Sequence, residues 1–424
     1  MSSEYTDFAG VIGATSGSEA ASLPRADRML TTEPLLPTVG VLALVLDRQG
    51  LWWQPRHHIL TRLSRFFHVV WVSPSHEWRQ TLRRILTPRR VEIEAPPGFM
   101  VYTPEPWLPV VYRPAWLGRT SLRARLNRAK NLLRKKGCRH IVLYIWFPEF
   151  LSALRHVSHD LSCYHIDDEY SFSPVDLPND PVEAALIASV DQVFIHSRTL
   201  LEKKGALNPH TTLVPNGVDY AAYATPQPEP SDLASIAAPR IGYTGHLKRQ
   251  LNWSLLFDLA SRHAQWSFVL VGAPKSHPEV KTAIQRLSCF PNVHFLGGKS
   301  TDALARYPQH FDVCIMPYQL DGYTKYIYPM KLHEYLATGR PVVGAQIPTL
   351  EEFRDVVNLP ATSEAWSAAL ADALLPGHNT EARRAARQAV ARQFDWNCVT
   401  SRIAKVMAQR LGLAFPEDDH GRTA

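Results

Sequence analysis

Two residues able to do chemistry, Lys331 and Glu334, lie three positions apart in the stretch 328-YPMKLHEYLATGRPVVGA-345. Pro329 suits the first position of a helix, where its missing N–H costs nothing, and Gly339 suits a helix end. The pattern therefore predicts a helix from Pro329 to the residue before Gly339, followed directly by a strand. On such a helix Lys331 and Glu334 share one polar face.

Lys331 falls in the first turn of this predicted helix. Four unpaired N–H groups and the positive end of the helix dipole already favour an anion there, so a cation is unfavourable for the helix alone. A bound phosphate would remove the conflict. The alternative is a solvated Lys–Glu pair at i,i+3, which is common on helix surfaces and contributes only about 0.3 kcal/mol.

A second candidate for phosphate binding is the stretch 241-IGYTGHLKRQLNW-253, which predicts a strand, a glycine turn and a helix starting near Asn252. Glycines let backbone N–H groups approach a ligand closely, and His246, Lys248 and Arg249 would add positive charge. An ordinary solvated loop is the alternative. The chain has no GxGxxG and no GxxxxGK[ST] motif, which argues against a dinucleotide dehydrogenase and a P-loop NTPase.

Three adjacent carboxylates, Asp167, Asp168 and Glu169, follow a strand-like run in 164-YHIDDEYSF-172. Adjacent carboxylates raise one another's pKa, and a general base that works near neutrality needs a raised pKa. These residues are therefore candidates for proton transfer. The alternative is a cluster that caps the N-terminus of a helix.

The elements that must position these residues are short apolar runs separated by helix-length segments. Such runs are typical of parallel sheets covered on both faces, so the predicted class is α/β with two doubly wound, Rossmann-like domains that face a central cleft. Ligands of such sheets bind beyond the carboxyl ends of the strands. The predicted strands cover residues 39–46, 68–73, 140–146, 192–197, 240–245, 267–272, 292–297, 312–318 and 340–345.

A proline-rich segment separates the two sets of strands. Proline removes backbone donors, so this segment predicts an interdomain linker. Helices after the last strand are expected to cross back over the domain junction. The predicted organisation is a flexible tail at 1–37, an N-terminal domain at 38–224, the linker at 225–239, a C-terminal domain at 240–395, and a helix and tail at 396–424.

Composition limits the class of protein further. The net charge is +7, but the stretch 119–139 carries nine Lys or Arg residues and no acid, so the rest of the chain is slightly acidic. This distribution favours one docking patch and argues against nucleic-acid binding. The five cysteines are scattered without CxxC spacing, which argues against disulfides and a zinc site. With no signal-peptide pattern and no bilayer-length apolar run, we expect a cytosolic protein.

The basic stretch 119–139 has the pattern of an amphipathic helix, with Leu122, Leu126, Ala129 and Leu133 along one side. Such a helix is typical of binding to anionic membrane surfaces, here through Arg123, Arg125 and Arg128. A second basic cluster with one tryptophan lies at 78–90. The alternative is a helix whose apolar side faces the protein core and whose charged side faces solvent.

Several of these stretches together resemble the donor domain of GT-B glycosyltransferases, in particular bacterial group 1, family-4-like enzymes that build envelope and extracellular polysaccharides. The resemblance covers roughly residues 160–345. The segments that carry it are 213-LVPNGVDYAAY-223, 240-RIGYTGHL-247, 266-WSFVLVGAP-274, 291-PNVHFLGGKSTDALARYPQHFDVCIMPY-318 and 329-PMKLHEYLATGRPVVG-344.

The resemblance implies roles for individual residues. The donor diphosphate would lie against the turn at Gly245 and against Lys331, with His246 or Lys248, and Glu334 would hold the ribose hydroxyls. The loop of Gly298 and Lys299 would lie near the nucleobase. Tyr318, Asp321 and Tyr323 are candidates for lining the sugar pocket. No metal or other cofactor is expected, because Lys331 and the helix dipole supply the positive charge.

The resemblance also bears on the acceptor side. The DDEYS string favours Asp168 as the base that a transfer with inversion requires. The turn 52-WWQPRHHILTRLSR-65 is expected to face the acceptor through Arg56, His57 and His58, unless the two histidines are structural. Many relatives carry a glutamate eight residues before the helix glutamate, where this chain has Tyr326. The contacts to the sugar and the stereochemical outcome therefore stay open.

The sequence thus predicts a glycosyltransferase that is peripheral on the inner face of the cell membrane. It would take a nucleoside-diphosphate sugar as donor and a lipid-linked or polysaccharide acceptor. Two alternatives stay open: a GT-B-fold nucleotide-sugar epimerase, and a non-catalytic membrane-docking partner that retains the fold.

Overall fold

The computed structural model of the chain describes residues 33–46, 53–74, 96–105, 108 and 115–416. The predicted tail at 1–37 falls largely on residues 1–32, and the basic cluster at 78–90 falls within 75–95. Both of these predictions therefore lie outside the described residues.

The first sheet contains seven parallel strands in the order β3-β2-β1-β4-β5-β6-β7. All residues of Val39–Leu44, the third strand in this order, are buried, as expected for a sheet covered on both faces. The strands are β1 (Val39–Leu44), β2 (His68–Val72), β3 (Phe99–Tyr102), β4 (His140–Ile145), β5 (Leu161–Ile166), β6 (Gln192–Ile195) and β7 (Thr211–Leu213).

The second sheet contains five parallel strands in the order β10-β9-β8-β11-β12. The order reverses between β1 and β4 in the first sheet and between β8 and β11 in the second, and ligands of such sheets bind at these positions. The two doubly wound sheets confirm the predicted fold class. The strands are β8 (Arg240–Thr244), β9 (Ser267–Val271), β10 (Val293–Phe295), β11 (Val313–Met316) and β12 (Val342–Gly344).

Helices cover both sheets. In chain order, those among the described residues are α1 (Pro55–Leu63), α2 (Ala115–Lys135), α3 (Pro181–Ser189), α4 (Arg198–Lys204), α5 (Tyr220–Ala224), α6 (Ser231–Ala234), α7 (Trp253–Arg262), α8 (Pro278–Leu287), α9 (Thr301–Leu304), α10 (Arg306–Gln309), α11 (Met330–Thr338), α12 (Pro348–Glu351), α13 (Ser363–Ala373), α14 (Glu381–Arg392) and α15 (Trp396–Arg410). Short 3-10 helices are Pro148–Arg155, Gly205–Leu207 and Pro376–His378.

The helix α15 crosses back to the first domain, as predicted. Trp396, Val399 and Ile403 are fully buried in the core cluster that contains β1, β2 and α1. The crossing is held by backbone hydrogen bonds, because the N–H of Trp396 donates to the carbonyl of Val218 and the N–H of Val218 donates to the carbonyl of Phe394, each at 2.9 Å.

The chain passes in the other direction shortly after β7. Val214 is buried in the core of the first domain, whereas Val218, Tyr223 and Leu233 are buried in the core of the second. The crossing therefore lies at 214–218, and the proline-rich segment at 225–239 contributes α6 to the surface of the second domain.

The basic helix α2 faces the first sheet. Its apolar residues Leu126, Ala129 and Leu133 are at most 1% exposed and pack in the core beside β1 and β4. The membrane interpretation of this apolar stripe was therefore wrong, and the alternative of a core-facing helix is confirmed. Of its predicted membrane residues, Arg123 is exposed, Arg125 is partly covered, and Arg128 pairs with Glu105.

Candidate active site

A cleft of about 1140 Å³ lies between the two sheets, at the carboxyl ends of their strands. The segments that follow β5, β8, β9 and β11 supply its walls, and they bring Asp168, Gly245, Gly272 and Tyr318 to one space. The position agrees with the binding region expected for doubly wound sheets.

The glycine turn after β8 forms one wall of the cleft. Gly245 has a φ of 123°, a backbone conformation that side chains other than glycine's rarely allow. Gly272 approaches the same turn so closely that a Cβ atom on it would lie 1.9 Å from the carbonyl oxygen of Gly245. The turn therefore depends on glycine at both positions, and it leaves backbone open to a ligand.

Lys331 lies in the first turn of α11 and points toward this glycine turn. Its Nζ donates a hydrogen bond to the hydroxyl of Tyr318 at 2.8 Å and lies 5.2 Å and 5.4 Å from the ring centroids of Tyr243 and Tyr318. A Cβ on Gly245 would lie 3.4 Å from the same Nζ. The helix ends as predicted, with Gly339 in the left-handed conformation. Pro329 is its N-cap and not its first helical residue.

Glu334 lies one turn deeper and also lines the cleft. Burial raises the pKa of Glu334, while the charge of Lys331 and a hydrogen bond with the hydroxyl of Tyr223 lower the pKa. Its carboxyl group is therefore held on α11 beside the ammonium of Lys331, with Tyr223 of α5 fixing its position.

The loop after Gly245 adds a histidine and a lysine to this wall. Burial, with repulsion from Lys275 as the next cause, lowers the pKa of His246 to about 4, so His246 is neutral near pH 7. Burial also lowers the pKa of Lys248 to about 8, with repulsion from Lys331 as the next cause. Binding of an anion near these groups would offset the repulsion and raise the pKa of Lys248 again.

Gly298 and Lys299 line the cleft on the side of the second domain. The Nζ of Lys299 pairs with the carboxylate of Asp232 on α6 at 2.7 Å and lies 5.5 Å from the ring centroid of Tyr307. Its charge is therefore already compensated, and the position is better suited to a neutral group such as a nucleobase than to a phosphate.

Asp168 lines the opposite wall, directly after β5. Its Oδ2 accepts a hydrogen bond from the hydroxyl of Tyr323 at 2.9 Å, and its Oδ1 accepts one from the N–H of Glu169 at 2.8 Å. Burial raises the pKa of Asp168 to about 7, Lys248 opposes this shift, and Asp167 reinforces it. Asp168 therefore changes its protonation state near neutral pH, as a general base requires.

Asp167 lies in the cleft but is already paired. Its Oδ2 accepts from the guanidinium of Arg56 at 2.7 Å, and its Oδ1 accepts from the hydroxyl of Tyr170 at 2.6 Å. Its side chain is only 4% exposed. The structure therefore gives Asp167 a positioning role for Arg56, and the prediction that it is an alternative base does not fit this pairing.

Glu169 points away from the cleft, which contradicts its prediction as a catalytic candidate. The residue is 5% exposed, and its Oε2 lies 3.4 Å from the Nζ of Lys203 and 3.2 Å from the Nζ of Lys204. Lys204 pairs in turn with Glu183 at 2.8 Å. Charge compensation in this buried cluster fixes Glu169 behind the wall that carries Asp168.

The two histidines of α1 have different positions. His57 is 4% exposed, accepts a hydrogen bond from the N–H of Gln54 at 3.1 Å, and packs against Trp71. It caps the helix and does not line the cleft, so its prediction as an acceptor residue was wrong. His58 lines the cleft together with Arg56 and stacks on Trp396 with a centroid distance of 5.0 Å.

The residues expected around the sugar are only partly brought together. Tyr318 and Tyr323 line the cleft, whereas the carboxylate of Asp321 accepts hydrogen bonds from the N–H groups of Tyr323 and Thr324 and lies in a turn outside it. Tyr326 points away from the cleft, and its hydroxyl donates to Asp176 at 2.6 Å. The position that is glutamate in many relatives therefore contributes no side chain to the cleft wall.

The sequence-based reasoning missed Trp396, Tyr223 and Asp219, all of which line the cleft. Asp219 accepts a hydrogen bond from the guanidinium of Arg62 at 3.3 Å. Trp396 is the first residue of α15, and the predicted crossing of this helix did not indicate which of its side chains would reach the cleft. Among the described residues, no group of three or more His, Cys, Asp or Glu side chains is placed to hold a metal ion.

Comparison with known proteins identifies related sequences. Residues 238–376 match the family model described as "Glycosyl transferases group 1". The "Putative teichuronic acid biosynthesis glycosyltransferase TuaH" of Bacillus subtilis (strain 168) is 28% identical over 238 residues, which are 53% of this chain and 58% of that protein. The match with this curated relative thus spans less than two thirds of its length.

Several solved structures share this two-domain fold, and the match extends over nearly the whole length of each of them. Anabaena Alr3699/HepE in complex with UDP and glucose has a TM-score of 0.59 and 18% identity, covering 88% of this chain and 99% of that chain. The glycosyltransferase from Rickettsia africae ESF-5 has a TM-score of 0.63 and 11% identity, covering 89% and 99%. The alpha,alpha-trehalose 6-phosphate synthase from Burkholderia multivorans has a TM-score of 0.61 and 12% identity, covering 89% and 99%. At these identities the likeness concerns the fold.

The raised pKa of Asp168 predicts a pH-dependent stability. Between its ordinary value of 3.8 and about 7, the folded state binds more protons at this carboxyl than the unfolded state. The free energy of unfolding should therefore fall as the pH rises through this range, by roughly 2–4 kcal/mol for this group. Denaturant titrations at a series of pH values should show Asp168→Asn gaining stability relative to wild type as the pH rises.

The matched control is Asp355→Asn, which removes a carboxylate at an exposed position outside the cleft. A constant difference between wild type and Asp168→Asn over the whole pH series would contradict the assignment of this titration to Asp168.

Proposed function

Because residues 238–376 match the family model of group 1 glycosyl transferases and the chain has the GT-B fold, we propose that the protein transfers a glycosyl group from a nucleoside-diphosphate sugar to a hydroxyl group of an acceptor. The observation that carries this proposal is the position of Lys331, an ammonium group in the first turn of α11 that faces the turn at Gly245. An anion bound between them would satisfy both the helix N-terminus and the lysine.

The donor would lie across the second domain. Its diphosphate would contact the N-terminus of α11, Lys331 and the backbone at Gly245, with Lys248 close enough to add a second cation. Glu334 would accept hydrogen bonds from the ribose hydroxyls, since it lies one turn deeper on α11. The nucleobase would lie toward Gly298, where the charge of the neighbouring lysine is already paired.

The acceptor would lie against the first domain. This wall carries Asp168, Arg56 and His58, and its other lining side chains include the aromatic residues Trp53, Phe147, Tyr170 and Phe172. Aromatic faces pack against the apolar faces of sugar rings, and polar groups between them accept or donate hydrogen bonds. This composition supports a carbohydrate as the part of the acceptor that enters the cleft.

The transfer step needs two contributions from these side chains. The bond between the anomeric carbon and the diphosphate oxygen breaks, and Lys331 with the helix N-terminus stabilises the negative charge left on the diphosphate. A new bond forms to the acceptor oxygen, whose proton is accepted by Asp168. Both groups line the same cleft.

The relatives support a role in polysaccharide synthesis, since the similar Bacillus protein is named for teichuronic acid biosynthesis. We place the acceptor in the class of growing cell-envelope or extracellular polysaccharides, whether free or lipid-linked. The epimerase and the non-catalytic alternatives differ in their products. Conversion of the donor without any acceptor would favour an epimerase, and donor binding without turnover would favour a docking partner.

Lys331→Met tests the donor site, because methionine keeps the length of the side chain and removes its charge. We expect nucleotide-sugar affinity, measured by calorimetry against UDP-, GDP- and TDP-sugars, to fall about 10- to 100-fold, the loss of one charge-assisted contact. Stability without donor should be unchanged or slightly higher, because a cation is removed from a helix N-terminus.

Lys281→Met is the control, since Lys281 is an exposed lysine in the first half of α8. Equal donor affinity in wild type and Lys331→Met would remove the phosphate-binding role from this site.

Asp168→Asn tests the base. The substitution keeps the size of the side chain but lowers its basicity, so kcat should fall about 100- to 10,000-fold while donor affinity is retained. Single-turnover assays with bound donor and an added acceptor measure the effect. Undiminished transfer would show that another group accepts the proton.

We further propose that the protein docks on anionic membranes through the first half of α2. Trp116 and Leu117 are 60% and 40% exposed there, beside the exposed Arg119 and Arg123. Tryptophan is enriched at membrane interfaces, and each basic residue near an anionic surface contributes about 1 kcal/mol. Among the described residues no helix is long and apolar enough to cross a bilayer.

Charge reversal at Arg119 and Arg123, combined with Trp116→Ala, should release the protein from anionic vesicles in co-sedimentation assays. The matched control reverses Arg383 and Arg384, two exposed arginines on α14 at a distant surface. If both variants sediment with the vesicles to the same extent, α2 is not the docking surface.

A further inference from the structure

One loop of the second domain is docked on the first domain. This docked loop comprises residues 319–326. The N–H of Gly322 donates to the carbonyl of Pro174 at 2.7 Å, and a Cβ on Gly322 would lie 2.5 Å from the backbone nitrogen of Asp176. The carboxylate of Asp176 accepts from the hydroxyl of Tyr326 at 2.6 Å and pairs with Lys325 at 3.1 Å. The two domains therefore contact each other here through a backbone hydrogen bond, a side-chain hydrogen bond and an ion pair.

The docked loop is also fixed internally. The Oδ1 of Asp321 accepts hydrogen bonds from the N–H groups of Tyr323 at 3.0 Å and Thr324 at 2.7 Å. The hydroxyl of Thr324 donates to the carbonyl of Gln319 at 2.7 Å. Tyr323 is 4% exposed, and its ring contacts Phe172 of the first domain with a centroid distance of 5.4 Å. The position of the Tyr323 hydroxyl is thus determined by the loop and by the contact with the first domain.

That hydroxyl reaches across the domain boundary to Asp168. It donates to Oδ2 at 2.9 Å, while the backbone N–H of Glu169 donates to Oδ1 at 2.8 Å. Each carboxylate oxygen can accept further hydrogen bonds, so both donors can stay in place while the carboxylate accepts a proton from a substrate hydroxyl. One of the two donors belongs to the first domain, and the other belongs to the second.

We infer that Tyr323 is a positioning residue that couples the base Asp168 to the docked loop of the donor domain. The inference rests on the proposed role of Asp168 in proton transfer. Tyr323 orients the carboxylate and favours its ionised form only when the docked loop contacts the first domain. Proton acceptance is therefore confined to the arrangement in which the donor wall and the acceptor wall face each other.

The charges around Asp168 determine the direction of the effect. The carboxyl faces Lys248 from the loop after β8 and Asp167 from its own segment, and Asp167 is compensated by Arg56. Burial and the nearby carboxylate raise the pKa of Tyr323 well above its ordinary value, so its hydroxyl stays protonated and acts as a donor. The Tyr323 hydroxyl lowers the pKa of Asp168, so its removal should raise that pKa above about 7.

The first experiment requires no substrate. The free energy of unfolding is measured from about pH 4 to about pH 9 for wild type, Asp168→Asn, Tyr323→Phe and the double variant. Wild type is paired with Asp168→Asn, and Tyr323→Phe is paired with the double variant. Within each pair, the difference in the free energy of unfolding as a function of pH reports the titration of Asp168. We expect the midpoint of this titration to lie at higher pH in the Tyr323→Phe pair than in the wild-type pair.

Tyr326→Phe is the matched control, because it removes a phenol hydroxyl from the same loop that donates to a different carboxylate, Asp176. It should lower stability without moving the Asp168 midpoint. An unmoved midpoint in Tyr323→Phe, or an equal movement in Tyr326→Phe, would overturn the inference.

The second experiment uses the pH profile of kcat/KM. Well below the midpoint, each unit of upward shift reduces the ionised fraction about tenfold, so the activity of Tyr323→Phe relative to wild type should be lowest at acidic pH and recover at alkaline pH. Donor affinity should stay at the wild-type value. A uniform loss at every pH would indicate a purely structural role and would contradict the inference.

The two experiments also separate this inference from the proposed function. If the midpoint moves in Tyr323→Phe but Asp168→Asn retains transfer activity, the coupling between Tyr323 and Asp168 stands and the assignment of the base fails. If Asp168→Asn abolishes transfer but the midpoint does not move, the base stands and the role of Tyr323 fails.

Discussion

The repulsion between positive groups on one wall of the cleft is the constraint on which the rest of the site depends. Burial, together with repulsion from Lys331 in the first turn of α11, lowers the pKa of Lys248 after β8 to about 8. Neither position is favourable for an isolated helix or loop. The fold maintains both, because Gly245 and Gly272 bring the turn toward α11 and Tyr318 holds the ammonium of Lys331. The proposed diphosphate would offset this repulsion, so the unfavourable arrangement of the free protein would contribute affinity for the anion.

The opposite wall holds three adjacent carboxyl groups that are poorly solvated. Two of them are compensated by cations in different ways. Asp167 is paired with Arg56, and Glu169 is compensated by Lys203 and Lys204 in a buried cluster. Burial raises the pKa of Asp168 to about 7, because the hydrogen bonds to its oxygens and the charge of Lys248 across the cleft only partly oppose this shift. The same environment that makes the group costly to ionise makes it useful for proton transfer.

The sequence predicted those parts of the site that depend on neighbouring residues. The helix between Pro329 and Gly339, the polar face of Lys331 and the glycine turn follow from helix ends, helix periodicity and backbone freedom, and the structure has each of them. The nine predicted strands are present because short apolar runs are buried in parallel sheets that are covered on both faces.

The parts of the site that the sequence did not predict depend on contacts between segments that are far apart in the chain. The contact between Tyr323 and Asp168 joins residues 155 positions apart, and the buried lysines that neutralise Glu169 lie on a different helix. Periodicity identified α2 as amphipathic, but an apolar stripe has the same pattern whether it faces lipid or a sheet, and here it faces the sheet. Trp396 is buried in the core of the first domain, whose strands end almost two hundred residues earlier in the chain. Consequently the first domain has an incomplete core when its own strands emerge during synthesis, and its apolar face beside α1 stays uncovered until α15 has been made. Domains generally fold in order from the N-terminus as they are synthesised. In this chain the core of the second domain uses residues no later than α14, whereas the core of the first domain needs α15, so a product truncated before α15 would leave the apolar face beside α1 uncovered.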